Sequence, residues 1–218
     1  MNILPLFRTA ARLLTFQISR NELLQLDNRH LILGLCMTWI VGMGRSWDDT
    51  NANILQHLGI GSVMYIFVLS LLIWLVARPL SVQALEYKQV LTFIALVSPP
   101  ALLYAIPVEQ FFNSEVSRAL NVSLLLIVAT WRVALLCFYF SRFLQMRWYA
   151  IAVATLLPLA LIMVPITMFR MSEAVASSMG GLREDQVMSE PATRVLDYLG
   201  TLSCAAVLPL LIIYLILC

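Results

Sequence analysis

From Leu58 to Ala77 the sequence passes through twenty residues, "LGIGSVMYIFVLSLLIWLVA", without a formal charge. About 20 consecutive apolar residues are what a helix needs to cross the hydrocarbon core of a bilayer. A soluble protein can bury one such run in a large core, but this chain repeats the pattern. Read between polar breaks, candidate spans fall at about 31–44, 58–77, 90–108, 120–140, 148–169 and 198–217. At 61% hydrophobic and 12% charged residues, a chain of 218 residues has too little polar surface to clothe a water-soluble globule. The pattern therefore predicts an all-α fold, a polytopic transmembrane helical bundle of about six spans. The first span, "LILGLCMTWIVGMG", is short and glycine-interrupted, so re-entry or an interfacial position competes with crossing; we expect it to cross, with local thinning of the bilayer or snorkelling flanks absorbing the mismatch.

Charge orients these spans. Arg8, Arg12, Arg20 and Arg29, with Arg78, Lys88, Arg142 and Arg147, fall on one side, opposed by Glu22, Asp27 and Glu86. The other side carries Arg45, Arg118, Arg170, Arg183 and Arg194 beside nine acids. The positive-inside rule then puts both termini in the cytoplasm. Residues 1–29 form a cytoplasmic segment and 30–218 the membrane domain. Within the former, "LPLFRTAARLLTFQI" gathers Leu6, Phe7, Ala10, Leu13, Leu14 and Ile18 near one helical face, an amphipathic helix that either lies on the cytoplasmic leaflet or packs on the spans. The first thirty residues lack the pattern of a cleaved secretory signal, so insertion by the chain's own helices is expected. Thirteen arginines against one lysine suggest a GC-rich genome, which favours a bacterial cytoplasmic (inner) membrane.

Few residue groups carry a recognisable chemistry. Cys36, Cys137, Cys204 and Cys218 are isolated from one another, without a CxxC or a neighbouring His, which argues against a disulfide framework or a zinc site. Asp48 and Asp49, with Asn51 and Asn53, offer oxygen ligands for a divalent cation; a metal-dependent lipid-modifying enzyme would also need a second acidic cluster and basic phosphate ligands, and we read the segment as a solvated turn anchored by Trp47. The glycines of "HLGIGS" suit close helix approach better than a serine hydrolase, since the order is not that of a nucleophile elbow. No cofactor is expected. The expected partners are the lipid bilayer, partner membrane proteins or a second copy of the chain, with no nucleic acid.

The segment "SPPALLYAIPVEQFF" is more informative. Pro99 and Pro100 remove backbone donors and should break or kink the third span, freeing the carbonyls of Ala95 and Leu96 at membrane depth. Pro107 repeats the effect near the outer end, where Tyr104 and Glu109 meet the interface. Irregular backbone there is tolerated only when protein or a water-lined cavity satisfies it. In the next span "LIVATWRVALLC" sets Arg132, always charged, in the middle of an apolar run. Two roles stay open: a clamp on the freed carbonyls, or a mid-membrane site for an anion or lipid phosphate, as in a transporter or channel subunit. A non-catalytic membrane protein acting through partners or lipids is the leading reading.

The run "TWRVALLCFYFSRFLQMRWYAIAVATLLPLALIMV", together with "FRTAARLLTFQI" and "YKQVLTFIALVSPPALL", resembles the Yip1-like superfamily of small polytopic proteins. That resemblance implies a helical bundle without known enzymatic activity, linked in eukaryotes to vesicle-trafficking partners.

Overall fold

The computed structural model describes residues 4–45, 47, 54–81, 83–172 and 190–218. Every regular element among them is helical. The first, α1 (Leu4–Leu14), is short, and it stops in a backbone motif usually closed by glycine: Phe16 sits at φ +60°, Phe16 N–H donates to Leu13 O at 3.1 Å and Gln17 N–H to Arg12 O at 2.8 Å. Ala10 and Leu13 are buried against the bundle. Next comes α2 (Arg20–Leu24), opened by a capping box in which Ser19 and Glu22 satisfy each other's backbone donors. After it, α3 (Asn28–Arg45) runs unbroken through its glycines.

The short α4 (Ile54–His57) leads through Gly59, held at φ +65° hard against α3, into α5 (Ile60–Leu80). One side of α5 is buried through Ile66, Ser70, Ile73 and Ala77, while Met64, Val68, Leu71 and Leu75 form an exposed apolar stripe. That division, at helical spacing, is what a span facing protein on one side and hydrocarbon on the other requires. The following α6 (Tyr87–Leu96) is buried from Val90 onward and gives way to 3-10 segments at Pro99–Ala105 and Val108–Gln110. Three long helices follow among the described residues: α7 (Ser114–Arg142), N-capped by Asn113; α8 (Trp148–Met168); and α9 (Glu190–Leu217).

The main core joins α1, α3, α5, α6, the C-terminal half of α7, and Ala154 of α8. Phe93 of α6 stacks on Tyr139 of α7 at 4.2 Å between ring centroids, and Tyr139 stacks in turn on Phe143. A second cluster sets Val76 of α5 and Val153 and Leu157 of α8 against Val207, Leu210, Leu211 and Tyr214 of α9.

Among the described residues four helices, α5, α7, α8 and α9, are long and apolar enough to cross a membrane, and the bent pair α6 plus Pro99–Ala105 makes a fifth. The architecture is thus that of a multi-pass helical membrane protein. The third run breaks at the proline pair, as expected: α6 stops after Leu96, and the chain resumes as a 3-10 helix bent by about 40°. Two boundaries change. The first run extends from Asn28 to Arg45, longer than expected, but polar residues at its start keep it out of the class of long apolar helices. The last helix likewise begins at Glu190, well before 198.

Candidate functional site at the helix break

Pro99 has no N–H to return to Ala95, so that carbonyl needs other donors. It finds them in Ser98, whose N–H lies at 3.2 Å and whose Oγ lies at 2.8 Å, and, more weakly, in Thr38 Oγ1 of α3 at 3.4 Å, whose hydrogen is shared with Gly34 O at 2.9 Å. Ser98 and Thr38 are both buried. Thr38 can reach because α3 approaches α6 closely at Gly34, where an added Cβ would lie 2.8 Å from Ala95 Cβ and 2.9 Å from backbone atoms. The tightened turn also sends Ala101 N–H to Ser98 O at 3.0 Å. Val97 O is then met by a side chain, Arg132 Nε of α7 at 3.3 Å.

Arg132 therefore lies on the break, but one residue beyond the carbonyls the sequence singled out. The 3-10 turn is the reason: Ser98 bonds three residues back, takes over Ala95 and moves the need for an outside donor forward to Val97. Tyr104 and Tyr65 are close enough for their phenols to interact electrostatically with the guanidinium. Tyr104 packs beside Val41, Ala101 and Val128, a small buried cluster between α3, the 3-10 segment and α7. Pro100 is buried and Pro99 half-buried in the same turn. Glu109 belongs to the second 3-10 segment. Asp48, Asp49, Asn51 and Asn53 lie outside the described residues.

Sequence reasoning missed Thr38 and Ser98, whose only signal was a hydroxyl at membrane depth on elements that later prove adjacent. It also missed a recurring use of tryptophan. Trp39 Nε1 donates to Leu58 O at 2.7 Å, Trp47 to Ala105 O at 3.1 Å, Trp74 to Leu85 O at 2.9 Å and Trp131 to Leu14 O at 3.0 Å. Each indole ties a carbonyl in a break or at a helix end to another segment, since an indole N–H against hydrocarbon or protein finds no water to bond. Trp47 therefore does more than anchor an interface.

Outside the apolar helices, two carboxylates are held below their ordinary range. Ser19, through its backbone N–H and then its hydroxyl, lowers Glu22, and Arg12 pairs with the same group. Burial pushes Asp27 upward, but hydrogen bonds from His30, whose Nδ1 lies at 2.7 Å, and from the Arg29 N–H outweigh it. Among the described residues no group of three or more His, Cys, Asp or Glu side chains is placed to hold a metal, and the four cysteines are free.

Comparison of the chain with protein-family models, with curated proteins and with solved structures gave no match.

Proposed function

We propose that this chain is a non-catalytic multi-pass protein of a bacterial inner membrane that acts through partner proteins or lipids, and that Arg132 is the clamp that holds its broken span. The observation that carries this reading is the Arg132 Nε bond to Val97 O: the one charge in the middle of α7 is engaged with backbone left open by the Pro99–Pro100 turn. In this reading α3 and the bent pair join the four long helices to make six crossings. An 18-residue α3 is about 27 Å long, close to the roughly 30 Å core. Both termini lie in the cytoplasm, α1 sits at that leaflet, and the resemblance to Yip1-like proteins points to the same kind of bundle. Reporter fusions at Asn53, Ser114 and Gln186 should read outside, and at Gln83, Gln145 and Cys218 inside. An outside C-terminus removes the six-span model.

The clamp is tested through stability. Arg132→Leu strands Val97 O and should cost about 1–3 kcal/mol, read as a lower melting temperature in detergent, with Arg132→Lys intermediate because a single ammonium replaces a planar fork. Pro99→Ala with Pro100→Ala returns backbone donors to the break and should largely rescue Arg132→Leu in a double-mutant cycle. The second reading, a transporter or channel subunit, is favoured by the 40° break with a cation bonded to its backbone. A fully stable Arg132→Leu protein that has lost binding of an anion would put that reading first.

A further inference from the structure

Between α1 and the lipid-facing side of α7 lies an open apolar groove of about 500 Å³, lined by Phe16, Leu126, Ile127, Thr130, Trp131 and Ala134. Its wall is built at some cost. Phe16 occupies a left-handed conformation that glycine normally fills, which projects its ring onto Phe138 in an edge-to-face contact at 5.6 Å. Trp131 fixes the other side by donating to Leu14 O, the end of α1. Directly beyond Phe138 the guanidinium of Arg142 lies 5.9 Å from its ring centre, exposed, and no acid among the described residues pairs with it. The groove residues thus lead, through the Phe16–Phe138 contact, to an uncompensated cation at the end of α7.

We infer that this groove holds one acyl chain of an anionic phospholipid of the cytoplasmic leaflet, with the lipid phosphate on Arg142. This rests on the multi-pass reading in which the Arg142 end of α7 is cytoplasmic. Dimensions agree for the end of such a chain: along α7, Ala134 and Thr130 stand about 12 and 18 Å from Arg142, within the roughly 20–22 Å half-thickness of a bilayer counted with its headgroups, and Leu126, about 24 Å away, lies at the midplane where acyl chains end. Charge agrees too, because an arginine at an anionic surface attracts lipid phosphate and accepts it in a forked geometry.

The full chain is reconstituted into phosphatidylcholine vesicles doped with phosphatidylglycerol that carries a diazirine near the end of one acyl chain, and in parallel with the matching phosphatidylcholine probe. Labelled peptides are mapped after illumination. Labelling should concentrate at Leu126, Ile127, Thr130 and Ala134 over the still more exposed Leu208 and Leu215 of α9, and the phosphatidylglycerol probe should label several-fold more. Arg142→Gln should lower that headgroup preference about fivefold while melting like the parent. Phe16→Gly keeps the turn that ends α1 and should reduce groove labelling by both probes. Even labelling of α7 and α9, equal labelling by the two probes, or crosslinks to a second copy at this face would each overturn the proposal. A fusion at Gln145 that reads outside also overturns it, by way of the leaflet; groove labelling that persists in that case shows that the topology failed and the groove did not.

Discussion

Two helices of this bundle meet their surroundings in opposite ways. Every residue of α6 from Val90 to Leu96 is buried, whereas only 6% of the apolar window of α9 is buried, against 33% for α8. Yet α6 is the short, interrupted one and α9 the long one. The difference follows from where backbone polar groups can be satisfied. A broken helix exposes carbonyls, so it survives only inside protein, where Ser98, Thr38 and Arg132 supply donors. A continuous helix satisfies nearly all of its own backbone, the Ala205 carbonyl opposite Pro209 excepted, and can present Leu202, Leu208, Leu215 and Ile216 to hydrocarbon. α9 then needs only one strong contact, the seam with α8, where Gly200 meets Thr167 and Ser172 Oγ donates to Asp197 at 2.6 Å.

The most severe way to break this comparison is at Gly34. Its missing Cβ faces Ala95 backbone, which cannot move without disturbing the break, so Gly34→Leu should cost about 3 kcal/mol or more and show as a large fall in detergent melting temperature. A melting temperature near that of the parent would mean that α3 does not support the broken span. At Gly200 the obstacle is a side chain: an added Cβ would lie 1.8 Å from Thr167 Oγ1. Thr167 can rotate away at the loss of its bond to Met163 O, so Gly200→Ala should cost only about 1 kcal/mol, and Thr167→Ala should restore most of it. If Gly200→Ala proves as damaging as Gly34→Leu, the lipid-exposed helix is more integral than its burial suggests.

The smallest effect lies near the N-terminus, at Glu22. Because Glu22 is held below its ordinary 4.5, its contribution is fully present above that value and disappears as pH falls through the lower, folded-state value. The group and its partner Arg12 are partly exposed, so the loss should be about a few tenths of a kcal/mol, and Glu22→Gln should flatten it. A steep acid transition that persists in Glu22→Gln would assign it elsewhere, with Asp27 beside His30 as the next group to replace.

Much of this was legible in the residues. The charge-free run of α5 announced a span, and Pro99–Pro100 marked the place where a helix had to stop. Arg132 declared that it needed a partner. Less visible were the helix ends: Phe16, Gln145 and Arg170 all sit at positive φ without being glycine, so the usual stop signal is missing there. The donors Ser98 and Thr38 were hidden for another reason. Thr38 lies 57 residues from the carbonyl it serves, and hydrophobic periodicity does not record which faces meet.

The sequence by itself determined the solvent of this protein, because hydropathy and chain length act locally and add up without reference to neighbours. It determined the site of the break in the same way, since proline lacks an N–H in any context. Which carbonyl Arg132 reaches was decided only by tertiary structure. The 3-10 turn let Ser98 claim Ala95, Gly34 let α3 bring Thr38 alongside, and Val97 was left to α7. Hydrogen bonds at 3 Å depend on how three helices are placed in space, and no local pattern along the chain encodes that placement.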